Sequence, residues 1–164
     1  MPSTYNMKAT TRRDNASVVT GKGEAFKLTP FIKTVTVAAA TAAGATIDFG
    51  KIPSNARIVG ASKVYWDAIS TAATTLDLGL AAVDGNITDD ADALNDGLGL
   101  IAVSTANVGA FVIKDLSNFG KKAYEHVNGQ STDPGGLLTV YGSLLDQPYA
   151  TGGDITLELY YYLD

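Results

Sequence analysis

Ile155-Thr-Leu-Glu-Leu-Tyr-Tyr-Tyr-Leu163 alternates at every step. Ile155, Leu157, Leu159, Tyr161 and Leu163 share one parity; Thr156, Glu158, Tyr160 and Tyr162 share the other. Successive side chains of a strand point to opposite faces, so this stretch predicts a strand with one buried and one outward face. It also puts tyrosine on both faces, one ring in the core and two facing out. Gly152-Gly153 marks the turn before it, and Gln147-Pro148 separates it from Leu137–Leu145, a run made almost wholly of β-favouring residues.

Working outward, the same reading recurs. Phe31–Val37 is rich in β-branched residues, Ala38–Gly44 is a loop of small residues, and Ala45–Phe49 alternates again before Gly50. Pro53 cannot donate a ladder hydrogen bond and belongs at a turn or an edge. Arg57–Asp67 reads as one strand, and Thr74–Leu80 as another with Leu76, Leu78 and Leu80 on one face. The small-residue turn at Ser70–Ala73 predicts that these two pair as a hairpin. Asp84, Asp89, Asp90, Asp92 and Asp96 make an acidic turn region, followed by apolar segments at Leu98–Val103 and Ala110–Ile113. Ser117–Asn128 is the best helix candidate, with Phe119, Ala123 and Val127 at helical spacing and Gly129 as its stop. Asp133-Pro-Gly-Gly136 is a turn.

About eight strands at this spacing, with no helix long enough for a parallel crossover, predict an all-β, antiparallel two-sheet sandwich of jelly-roll or Greek-key type. At most one short helix accompanies it. The domain spans residues 31–164, preceded by an arm over residues 1–30.

Charge divides the chain at the same place. Residues 1–30 carry five basic and two acidic side chains, while residues 31–164 carry seven basic and 15 acidic ones. The first segment has no sustained period, and Gly21-Lys-Gly23 interrupts it. It reads either as an extended arm or as a terminal tail. Tyr5, Lys8, Arg12, Arg13, Lys22 and Phe26 are its candidate partner-binding residues; Tyr160 and Tyr162 are those of the body. The acidic body argues against nucleic acid as a partner, because phosphate binding needs clustered Lys and Arg. No apolar run approaches a membrane span, and the N-terminus lacks the apolar core of a signal peptide, so no membrane partner is expected.

No pattern for chemistry emerges. The chain has no cysteine and one histidine, His126, which reads as a partly exposed helix residue. No nucleophile elbow and no phosphate loop is present. Asp90-Ala-Asp-Ala-Leu-Asn95 begins like a calcium loop, then puts Leu94 at a ligand position and Asn95 at the glycine position. A solvated acidic loop is the reading, with an irregular calcium site as its alternative. Asp67, Asp77 and Glu158 read as outward members of alternating strands. No catalytic, metal or cofactor residue is assigned, and the chain is expected not to be an enzyme. The outward tyrosines suit a protein interface, with a carbohydrate platform as the alternative.

Ile52-Pro-Ser-Asn-Ala-Arg-Ile-Val-Gly-Ala-Ser-Lys-Val-Tyr-Trp-Asp-Ala68 and Thr75-Leu-Asp-Leu-Gly-Leu80 resemble segments of tailed-phage virion structural proteins. So do Asp90-Ala-Asp-Ala-Leu-Asn-Asp-Gly97 and the ending Gly152–Asp164. This pattern likeness covers residues 45–164 and carries no catalytic residues. It implies a capsid decoration or cement protein, a small β-sandwich that binds the major capsid protein on the head surface. The implied state is a homotrimer, or a homodimer, made in the bacterial host cytoplasm. A tail or head–tail connector component is the alternative virion role, and a carbohydrate-binding sandwich the alternative outside the virion.

Overall fold

The structure is a computed structural model that describes residues 27–68, 73–85, 87–100, 109–146, 148 and 151–163. The described residues hold nine strands: β1 Thr29–Val37, β2 Thr46–Pro53, β3 Arg57–Ile58, β4 Lys63–Trp66, β5 Thr75–Ala82, β6 Asp90–Gly99, β7 Ala110–Phe111, β8 Leu137–Leu145 and β9 Gly153–Tyr162. They form two antiparallel sheets, ordered β1-β9-β4-β7 and β2-β8-β5-β6, with β3 also on β9. The two-sheet sandwich expected from the alternation is therefore present.

β3 and β4 pair along the same strand, β9, and act as one strand with a break between them. Counted so, eight strands pair in nested order: first with eighth (β1·β9), second with seventh (β2·β8), third with sixth (β4·β7), fourth with fifth (β5·β6). Such a folded-over hairpin wrapped into two sheets is a jelly roll.

The single strand expected over Arg57–Asp67 is thus interrupted. Val59 N still donates to the Tyr160 carbonyl at 2.8 Å, Gly60 and Ala61 leave the ladder, and the side chain of Ser62 stands in for backbone: the Tyr160 N–H donates to Ser62 Oγ at 2.9 Å. The expected hairpin between this region and Thr74–Leu80 does not form. β4 lies in the first sheet and β5 in the second, so the two do not pair. A small-residue stretch permits either route; the burial of both faces decides.

Leu76, Leu78 and Leu80 have no exposed surface and form the floor of the core with Phe49, Ile52, Leu138, Val140 and Leu144. Val64, Ile155, Leu157 and Leu159 close it from the opposite sheet. Each such side chain stabilises the fold by about 1.5–3 kcal/mol relative to exposure.

The acidic turn region is shorter than its charge suggests, because Asp90–Gly99 is strand β6. Its pairing with β5 is irregular. Leu78 opposes Asn95 while Leu80 opposes Asp90, so β6 carries extra residues in a bulge. That bulge lies on Gly79, where a Cβ would meet the Asp90 carbonyl oxygen at 2.3 Å and that of Ala91 at 2.6 Å. Only glycine admits this approach.

The helix expected over Ser117–Asn128 is replaced by a 3-10 turn at Leu116–Asn118 and one helical turn, α1, at Ala123–His126. Gly120 breaks the run with φ +82°, a conformation that side-chain-bearing residues avoid. The turn at Asp133 forms as read: Asp133 Oδ1 accepts from Ser54 Oγ at 2.6 Å and from Gly135 N at 2.9 Å. Those donors, Ser54 first, hold its carboxyl below the ordinary range.

Candidate functional site

The outward face of the first sheet gathers the most exposed apolar strand residues. Register places Ile32 beside Glu158, Glu158 beside Lys63, and Lys63 beside Phe111, one row across β1, β9, β4 and β7. Cross-strand partners point to the same face. Ile32 is 57% exposed and Phe111 52% exposed, so the row has two apolar ends and a charged centre. The Lys63 ammonium stands 5.6 Å from the Phe111 ring centroid, within reach of a cation–π contact.

Glu158 organises the tyrosines of this face. The Tyr160 hydroxyl donates to its carboxylate. That bond raises the Tyr160 pKa first, followed by burial and the Glu158 charge. Burial raises the Tyr65 pKa, with a hydrogen bond to Glu158 and its charge adding. Both phenols therefore stay neutral donors around one carboxylate.

Next to this row the face is polar and self-satisfied. Thr34 and Thr156 share a hydroxyl–hydroxyl bond of 2.8 Å, and Thr36 Oγ1 donates to Asp154 Oδ1 at 2.6 Å. Asp67 Oδ2 accepts from the Asp154 N–H at 3.1 Å. Beyond β7, the chain presents exposed Leu116 and Phe119. The Phe119 ring lies on Gly60, in the break between β3 and β4, where a Cβ would come within 2.6 Å of it.

Of the predicted partner-binding residues, Tyr160 and Tyr162 lie on β9 and are half-buried, while Tyr161 packs against the core. Tyr5, Lys8, Arg12, Arg13, Lys22 and Phe26 lie outside the described residues. Sequence reasoning missed Ile32, Lys63, Tyr65, Phe111 and Glu158 as members of one face. A signal existed in β1. Lys33 holds the parity of Phe31, Val35 and Val37, and pairs with buried Leu157, while apolar Ile32 holds the outward parity. Lys33 is itself exposed, and a charged residue on an edge strand discourages a further strand from pairing there.

The acidic residues serve local structure. Asp77 Oδ1 accepts from Gly97 N at 2.7 Å, Asp89 Oδ1 from Ala82 N at 3.0 Å, and Asp90 Oδ2 from Asn128 N at 2.6 Å. Lys114 donates to the Asp96 carbonyl at 2.7 Å and reaches its carboxylate at 3.4 Å. A hydrogen bond with Asp90, then burial, raises the Asp92 pKa. Among the described residues no three acidic or histidine side chains converge as a metal site would require.

His126 is 8% exposed, against the expectation of a partly exposed ring. Neither ring nitrogen has a partner among the described residues. Burial lowers its pKa to about 4, and Lys121 adds to the effect, so the ring is neutral at pH 7. α1 is too short to hold the ring on an outer helix face, and the turn folds it inward.

No known family profile matches the sequence, and no curated protein matches it. Among solved structures, the chain is similar to one described as a cyanophage Pam1 capsid asymmetric unit. Identity is 14% and the TM-score 0.47, over 85% of this chain and 87% of that one.

Proposed function

We propose that this protein is a virion structural component, a capsid decoration protein that binds the major capsid protein of a phage head. The sequence resemblance supplies the class. The observation that carries the reading is the exposed row from Ile32 to Phe111 on an otherwise self-bonded sheet face. Apolar anchors inside a polar surround are what a protein partner buries, and aromatic residues are enriched in such contacts. The jelly roll alone does not decide, because capsid, lectin and other proteins share it.

A decoration protein resists separation of shell subunits by touching more than one. Weak contacts on one oligomer add through effective concentration. In this reading the Ile32–Phe111 face docks on the shell, and Tyr160 and Tyr162 border it. The basic arm, with Tyr5, Lys8, Arg12, Arg13, Lys22 and Phe26, reaches acidic groups on a neighbouring subunit and sets register. A homotrimer matches the local three-fold sites of an icosahedral shell.

Co-sedimentation of the purified protein with undecorated heads tests this. Wild type should pellet with heads. Ile32→Asp/Phe111→Asp and deletion of residues 1–27 should each weaken binding about tenfold or more while leaving the folded circular-dichroism spectrum unchanged. Higher salt should weaken the contribution of the arm alone. Full binding by both variants would overturn the reading.

A further inference from the structure

The outward face of the second sheet differs in shape and chemistry. An open groove of about 420 Å³ lies there, lined by Thr46, Asp48, Asp89, Thr139, Tyr141 and Ser143, with Thr46, Asp48 and Asp89 exposed at its rim. Its floor is β8, which is paired along both edges, by β2 and β5, and so is a rigid platform. Register sets Asp48 beside Tyr141 and Thr46 beside Ser143. On its other side Tyr141 opposes Gly79, which carries no side chain and lies under the β6 backbone at Asp90 and Ala91. The bulge of β6 therefore forms a wall beside the ring.

Two properties point to a ligand. First, the hydroxyls of Thr46, Thr139, Tyr141 and Ser143 bond to no other described residue, although threonines of the first sheet bond to each other and to Asp154. Second, both carboxylates are held by backbone donors through one oxygen only. Gly50 N donates to Asp48 Oδ1 at 2.7 Å, and Ala82 N to Asp89 Oδ1 at 3.0 Å. The second oxygen of each has no partner among the described residues. A pre-oriented acceptor binds without the ordering cost that a mobile side chain would incur.

We infer that this groove is a binding site for a neutral saccharide. A sugar ring offers a C–H face to an aromatic ring and hydroxyls to carboxylates and hydroxyls. The groove supplies one aromatic ring, two carboxylates and three aliphatic hydroxyls, and no basic residue lines it. Anionic saccharides and phosphates would be repelled by Asp48 and Asp89. Burial, then the charges of Asp89, Asp90 and Asp92, raises the Tyr141 pKa, so its phenol remains a donor. The inference does not rest on the virion reading.

Saturation-transfer NMR and calorimetry on the full chain test it, with maltotriose, cellotriose and tri-N-acetylchitotriose as neutral probes. Sialyllactose serves as the anionic probe and tetralysine as the cationic one. At least one neutral probe should bind saturably. Tyr141→Ala and Asp48→Asn should weaken it about tenfold or more, and Phe111→Asp should leave it unchanged. Asp48→Asn and Tyr141→Phe keep the shape of the strand, so a fold defect in Tyr141→Ala does not decide the outcome. No saturable neutral probe, binding that survives Asp48→Asn, equal binding of sialyllactose, or binding of tetralysine alone would each overturn the inference.

Discussion

The two sheets turn outward in different ways. On the first, hydroxyls and carboxylates satisfy one another, and the exposed apolar surface sits at the ends of the Ile32–Phe111 row. On the second, β6 bulges over Gly79, and four hydroxyls face an open groove with no partner among the described residues. A broad face with its polar groups already bonded loses little when a protein covers it, because few donors or acceptors are stranded. A concave face with unmatched polar groups favours a small ligand that completes them. On the two readings proposed above, one fold carries two kinds of recognition surface, separated by the core.

The largest expected effect removes the wall that makes the second face concave. Gly79→Ala sets a Cβ against the carbonyls of Asp90 and Ala91, which are backbone atoms and cannot rotate away. It should destabilise the protein by about 3 kcal/mol or more and lower Tm by roughly 10 °C. A shift below about 1 kcal/mol would mean that β6 does not lie on β5 there.

Acid titration tests the packing beneath both faces. The folded pKa of His126 is lowered to about 4 from an ordinary 6.5, so the unfolded chain binds the proton more readily. Stability is then full above pH 6.5 and falls as pH drops toward 4, by roughly 3 kcal/mol from this residue. Urea unfolding at several pH values should show that loss in wild type and not in His126→Leu. Asp133 and Asp115 also have lowered values, but their contributions are lost below the ordinary carboxylate range and do not overlap this window. Parallel curves for wild type and variant between pH 6.5 and 4 would place the ring in water.

The smallest effects sharpen the first face. Glu158→Gln should bring the Tyr65 and Tyr160 pKa values down toward the ordinary value, read by tyrosinate absorbance on alkaline titration. Lys63→Met removes a contact of about 0.5–1 kcal/mol with Phe111, so its loss of stability should be barely measurable.

Much of the sandwich was legible from local pattern. On β9 the buried residues are those that parity selects; on β5 and β8 parity selects the apolar core, but Asp77, Gly79 and Ser143 of the opposite parity are buried as well. What failed was pairing. Arg57–Asp67 and Thr74–Leu80 are close in sequence and fall in different sheets. Helical spacing at Phe119, Ala123 and Val127 was real as a count, yet Gly120 interrupts it, and Ala123, His126 and Val127 fill the core from a single turn and its cap. The candidate site was half visible: Tyr160 and Tyr162 stood out as aromatics on an outward parity. Ile32, Lys63 and Phe111 belong to three strands up to 79 positions apart, and only register with β9 lines them up with Glu158.

Alternation along Ile155–Leu163 established by itself that this segment is a strand and which side of it is buried, and the β-favouring run Leu137–Leu145 established that it too is a strand. That information is local, since the backbone turns every second side chain to one face and water rejects the apolar set. Which strand lies beside which is not local. Every strand offers the same backbone donors and acceptors, so the choice rests on the combined burial of both sheets. The nested pairing of the jelly roll, the inward turn of His126 and the groove beside Tyr141 all follow from that choice, which only the packed sandwich makes.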